Sequence, residues 1–216
     1  MASGTGPNKT ARVATLCSVA ALGSLGFGAA VAAQGDDGLN VTAQVGNGQK
    51  GKGAAVAALH DTRGNRIGAA RFLARPDGSL RIRVNVSGLA PGFHGFHVHA
   101  TGQCVAPFAT AGGHRQSGTQ THGAHAGDLP PLLVRGDGTA GARFETDALT
   151  LAQVLDADGD GSALIVHAGR DNLANIPARY HSDAAPASGP DATTLATGDS
   201  GARAACGVVK RARSRH

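Results

Sequence analysis

The stretch "GFHGFHVHATGQC" at residues 92–104 carries His94, His97, His99 and Cys104. Residues two apart on a strand project from one face, so His97 and His99 point the same way while Phe96 and Val98 point into a core. An H-x-H pair on a strand therefore presents two imidazoles to one ion without disturbing the packing behind it. Downstream, "AGGHRQSGTQTHGAHAGD" supplies His114, His122, His125 and Asp128. Three imidazoles and a carboxylate suit a closed tetrahedral zinc site. His167 ends the apolar run "SALIV" and offers one more ligand at a strand end. A lone histidine is usually a hydrogen-bonded core or surface residue. His60, His94, His181 and His216 are read that way, with His94 a packing or hydrogen-bonding neighbour of the strand. The combination of H-x-H, H-x7-H-x2-H-x2-D and a strand-end histidine in one chain points instead to a metal centre.

The elements that position these groups are short. Apolar runs recur from residue 53 onward as "AAVAALH", "RIGAARFLA", "LRIRVNVSGL", "GFHVHA", "DLPPLLVRG", "TAGARFET" and "SALIVHAG", separated by turn signals such as "RPDG", "RGDG" and "DADGDG". Short alternating strands at this spacing predict an all-β sandwich or barrel. Aromatics make up only 3% of the chain and tryptophan is missing, so the core rests on Val, Leu, Ala and a few Phe. Segments 100–128 and 168–202 have neither helical nor strand periodicity, and loops that long are expected to carry function. "DADGDG" imitates the start of an EF-hand loop, but its twelfth position is His167 rather than Glu, so it reads as a turn.

At 216 residues the chain accommodates one domain with appendages. Residues 1–33 hold Lys9 and Arg12, an apolar run and small residues before Gln34, which describes a secretory signal. An uncleaved anchor competes with that reading. "ATLC" lacks the small residues expected before a lipidated Cys17. Residues 34–52 read as a flexible linker, 53–209 as the folded domain and 210–216 as a basic tail. Loss of Lys9 and Arg12 lowers the net charge from +5 to +3. Export leaves Cys104 and Cys206, a natural disulfide pair in an oxidising compartment. The tail "KRARSRH" is either a solvated end or a dock for an acidic surface polymer.

Over about residues 53–209 the chain resembles the copper/zinc superoxide dismutases, on the motifs "GFHGFHVHATGQC", "AGGH", "HAGDLP", "LIVHAG" and "GARAACGVV". The resemblance implies an eight-stranded Greek-key β-barrel, an immunoglobulin-like sandwich with two long functional loops. It implies copper on His97, His99, His114 and His167, and zinc on His114, His122, His125 and Asp128, with His114 bridging the metals. Asp171 resembles the carboxylate that links a copper ligand to a zinc ligand, Arg203 the arginine beside the copper, and Thr197 the threonine that narrows the channel. Cys104 and Cys206 match the family disulfide. Arg115 stands where the family usually has an aromatic, which is expected to loosen packing beside the bridge.

The expected activity is dismutation of superoxide to dioxygen and hydrogen peroxide in an extracytoplasmic space: periplasmic, cell-envelope or extracellular. No specific nucleic acid and no stable membrane span after signal cleavage are expected, and monomer and homodimer both remain open. The alternative is a non-catalytic copper-binding or copper-delivery module on the same fold. Arg203 discriminates, because storage or delivery needs no anion-guiding arginine beside the metal.

Overall fold

The computed structural model describes residues 53–155, 161–183 and 185–213. The signal (1–33), the linker (34–52), most of the "DADGDG" turn and His216 lie outside the described residues.

Among the described residues ten strands form, all in antiparallel pairs: β1 (Ala54–Asp61), β2 (Arg66–Ala74), β3 (Leu80–Val86), β4 (Gly92–His94), β5 (Phe96–His99), β6 (Leu132–Val134), β7 (Ala140–Thr146), β8 (Ala163–His167), β9 (Arg203–Val208) and β10 (Lys210–Arg211). Every apolar run picked out in the sequence contributes one. The main sheet runs β5-β8-β9-β1-β2-β3-β7, with β10 on β1, while β4 and β6 pair separately. Its non-consecutive neighbours are the crossovers of a Greek-key arrangement. The ten strands exceed the expected eight through short pieces such as β10, where Lys210 and Arg211 of the basic tail pair with Val56 and Ala55.

Alternation decides which face is inside. In β3, Leu80, Ile82, Val84 and Val86 are buried, while Arg81, Arg83 and Asn85 face outward. Their inward side chains join Ala55, Ala57 and Leu59 of β1, Ala70 and Phe72 of β2, Phe96 and Val98 of β5, and Leu164 and Val166 of β8 in one core. The turns use one device twice: Asp77 Oδ1 accepts from the Ser79 amide at 3.0 Å, and Asp137 Oδ1 accepts from the Thr139 amide at 2.9 Å. Between them Gly78 and Gly138 sit at φ +89° and +80°, where a side chain would be strained.

Among the described residues two short α-helices and one 3-10 turn, Ala109–Ala111, break the long connections. In α1 (Leu151–Leu155), Thr150 and Gln153 cap each other reciprocally, and Leu151 and Val154 enter the core. In α2 (Ala192–Thr197), Asp191 caps the start by accepting from the Thr194 amide at 2.8 Å, and Gly198 closes the end at φ +61°. The second long loop is thus partly helical, over a span too short for periodicity to register.

Candidate metal centre

β5 is buried on both faces. Phe96 and Val98 enter the core, and His97 and His99 occupy the opposite face at 0% and 1% exposure. That face would meet water on an ordinary edge strand, but here the first long loop folds over it. The Arg115 amide donates to the Val98 carbonyl at 2.8 Å, and the Val98 amide donates to the Gly127 carbonyl at 2.9 Å. This brings His114 beside His99 and Asp128 beside His97 in ladder-like bridges. On the other side, β8 sets Ile165 opposite His97 and Ala163 opposite His99, and ends in His167, opposite Arg203 of β9. The Arg115 backbone, beside which looser packing was expected, is held in this ladder at both its amide and its carbonyl.

Each imidazole is tied at one ring nitrogen. His97 Nε2 donates to Asp171 Oδ2 at 2.6 Å, His122 Nε2 to Asp171 Oδ1 at 2.7 Å, His99 Nδ1 to the Gly112 carbonyl at 2.9 Å and His167 Nδ1 to the Gly201 carbonyl at 3.1 Å. His125 Nε2 lies 3.1 Å from the Gln120 carbonyl. A proton held on that side leaves the other nitrogen's lone pair free for a metal. The free nitrogens His97 Nδ1, His99 Nε2, His114 Nε2, His122 Nδ1 and His167 Nε2 are buried without a hydrogen-bond partner. Buried polar atoms are rarely left so, and five in one cluster fit donors aimed at metal.

Two groups converge. Ligand atoms of His97, His99, His114 and His167 lie within 4.8 Å of one another, as do those of His97, His114, His122 and Asp128. His125 joins the second group through Asp128: the Nδ1 atoms of His114, His122 and His125 lie 2.8, 3.4 and 3.3 Å from Asp128 Oδ1. One carboxylate oxygen thus gathers the three imidazoles expected around zinc. Asp171, from the second long loop, holds one histidine of each set.

Burial drives the His99 and His167 imidazoles down to about 2 and about 3, so both are neutral and available as ligands. Burial also opposes the charged form of His122, but Asp128 and Asp171 outweigh it and raise that ring to about 9. Burial likewise works against both carboxylates, and their histidine partners still hold them well below the ordinary range.

Around this core, Arg203 is half-buried and donates to the Phe108 and Gly112 carbonyls, both at 2.5 Å. The Gly112 oxygen is the one that also accepts from His99. The Cys104–Cys206 disulfide, with Cα atoms 5.7 Å apart, ties the same segment to β9 and packs with Phe108, Ala111, Ala163 and Ile165. Thr197 ends α2, where its hydroxyl donates to the Thr193 carbonyl at 2.8 Å and makes no hydrogen bond to the histidines among the described residues. His94 is buried with its ring nitrogens 2.6 and 2.7 Å from the His167 and Ala90 carbonyls, a packing neighbour that braces the His167 backbone. Sequence reasoning missed Gly198: a Cβ there would overlap His122 Nε2 and fall 2.6 Å from Asp171 Oδ1. The glycine in "ATGDSG" marks a helix end, but nothing local says which side chains approach it.

The family model described as copper/zinc superoxide dismutase matches residues 66–209. The chain is 41% identical over 160 residues to a copper-zinc superoxide dismutase of Mycobacterium bovis, a match covering 68% of this chain and 65% of that protein. The chain thus spans somewhat less than two thirds of that relative's length. It is 35% identical over 168 residues to a copper-zinc superoxide dismutase of Brassica juncea, covering 74% of this chain and 97% of the relative. Among solved structures, a double mutant of a SOD-like protein from Bacillus subtilis superposes with a TM-score of 0.57 at 31% identity, covering 70% of this chain and 94% of the other.

Proposed function

The chain belongs to the copper/zinc superoxide dismutase family, and on that premise we propose that it converts two superoxide anions and two protons into dioxygen and hydrogen peroxide. The observation that carries the proposal is the set of buried, unpartnered ring nitrogens converging in two groups beside a half-buried arginine. In this reading His97 Nδ1, His99 Nε2, His114 Nε2 and His167 Nε2 hold copper. His114 Nδ1, His122 Nδ1, His125 Nδ1 and Asp128 Oδ1 hold zinc, and His114 serves both. Copper, when bound, supplies the one-electron chemistry, and zinc supplies fixed charge without redox chemistry.

The protein's own groups do the rest. Asp171 fixes the His97 and His122 rings, so both present their Nδ1 atoms. Arg203 carries a permanent charge beside His99 and His167 and draws a small anion inward. Its two backbone contacts leave further guanidinium N–H groups to orient that anion. His114 Nε2 has no hydrogen-bond partner, so whenever it does not hold copper it is placed to carry a proton towards the peroxide product. Thr197 narrows the approach from the end of α2. The disulfide supports export, and we place the protein in the periplasm, the cell envelope or the extracellular space. Among the described residues no helix is long and apolar enough to cross a membrane.

The test measures cyanide-sensitive superoxide dismutation with copper and zinc content on one sample. Equal copper and zinc with activity are expected, and His99→Ala should lose copper and activity while keeping zinc. Full copper uptake without dismutation would favour the storage or delivery reading, and normal copper in His99→Ala would overturn the ligand set.

A further inference from the structure

Away from the metal centre, the strand register assembles a second charged feature. Residues directly opposite in neighbouring strands project from the same face. Val56 of β1 stands opposite Lys210 of β10 on one side and Arg71 of β2 on the other; Arg71 stands opposite Arg83 of β3, and Arg83 opposite Arg143 of β7. Lys210, Val56, Arg71, Arg83 and Arg143 therefore form one row across five adjacent strands, roughly 19 Å long at about 4.8 Å per strand. The row faces outward, since Phe72, Ile82 and Val84 beside it fill the core.

Like charges directly opposite each other destabilise a sheet. Arg71, Arg83 and Arg143 make no side-chain hydrogen bond or ion pair among the described residues. Glu145, in the next outward row opposite Arg81, is already engaged by Arg81 at 2.7 Å and Arg75 at 3.8 Å. The row on the other side, Ala58, Ala69, Asn85 and Gly141, is small and uncharged. Three unneutralised guanidinium groups are thus held in line, with open space along one flank.

We propose that this row is a binding site for a linear acidic polysaccharide bearing one carboxylate or sulfate per sugar. Guanidinium groups bind such oxyanions bidentately. Their strand-to-strand repeat of about 4.8 Å is close to the length of one sugar unit, so successive anions can meet successive arginines. No aromatic side chain stands in the row or in the two flanking it, so single-stranded nucleic acid would lack its stacking platform. A bilayer surface would be expected to take up apolar side chains beside the charges, and Val56 is the row's one apolar member. The disulfide places the chain in an oxidising compartment, where surface glycans are met. The inference does not depend on the dismutase reading.

The test uses the full, oxidised, metal-loaded chain and a fluorescent decamer of polygalacturonate, followed by anisotropy at two salt concentrations. Saturable binding that weakens with salt is expected. The Arg71→Gln/Arg83→Gln/Arg143→Gln protein should lose about tenfold or more in affinity and show a shallower salt dependence. Removing equal charge elsewhere, with Arg63→Gln/Arg135→Gln/Arg179→Gln, should change affinity by less than about twofold. Equal losses in both triple variants would make the attraction diffuse and overturn the site. Tighter binding of a single-stranded DNA decamer, or of phosphatidylserine vesicles, would overturn the ligand class. Because Arg83 stands between two arginines, Arg83→Gln should raise Tm, and a lowered Tm would overturn the repulsion on which the row rests.

Discussion

Arg203 is the residue at which charge and scaffolding meet. Its guanidinium stands close enough to His99 and His167 to lower both rings after burial has done so, and it also pins the Phe108 and Gly112 carbonyls. The two roles separate by substitution. Arg203→Lys keeps the charge but cannot span both carbonyls, whereas Arg203→Glu reverses the charge. If attraction of superoxide dominates, Arg203→Glu lowers kcat/KM by about tenfold or more and Arg203→Lys by much less, with copper and zinc unchanged. Added salt should then slow the native protein more than Arg203→Glu. If Arg203→Lys proves as slow as Arg203→Glu, the backbone contacts matter more than the charge. Gly198 is the counterpart on the zinc side. Gly198→Ala combines a strained φ with a clash against His122 and Asp171, so zinc should be lost first and Tm should fall. Unchanged zinc content would mean that α2 moves aside freely.

At the scale of elements, two long loops are held to one strand pair by a few bonds. Segment 104–112 is fixed by the disulfide to Cys206 and by Arg203, three residues earlier on the same strand. Cross-linking residues 102 apart stabilises by roughly 4–5 kcal/mol in the chain-entropy model, an upper figure. Reduction should therefore lower Tm and speed copper loss, because Gly112, the partner of His99, moves with the freed segment. An unchanged rate of metal release after complete reduction would contradict that link. Much of this was legible beforehand: β2 forms over the residues of the run "RIGAARFLA", and the alternation around His97 and His99 separates core from ligands. The donor types were legible too, since H-x-H and the later histidines differ from their surroundings in chemistry as well as spacing. What could not be read depends on approaches between distant segments. Gly198 against His122, the carbonyl partners of Arg203 and the line of arginines follow from loop paths and strand register, which local pattern leaves open. The five and six residues of α1 and α2 are likewise fewer than periodicity needs.

For the molecule as a whole, the buried titrating groups make metal content and pH inseparable. In the metal-free chain His122 is raised from 6.5 to about 9, so its contribution to stability is complete below pH 6.5 and disappears as pH climbs through 9. His99 and His167 are lowered, so the unfolded chain takes up protons that the folded chain refuses, and stability falls as pH drops below 6.5. Asp128 and Asp171, held below 3.8, add a further loss as pH falls past that value. Metal held by His122, as proposed, would keep that ring from taking the extra proton, so the loaded protein should lack the alkaline decline. Melting curves of stripped and loaded protein between about pH 5 and 10 should therefore diverge above neutrality. Parallel curves would place the His122 proton elsewhere. Asp171 carries this dependence one step further, because a single carboxylate orients a histidine from each set. Filling either set would immobilise that carboxylate for the other, and thermodynamic reciprocity then requires both affinities to rise by the same factor. By that coupling, a chain that has filled one set would hold the metal of the other more tightly, in whichever order the two arrive.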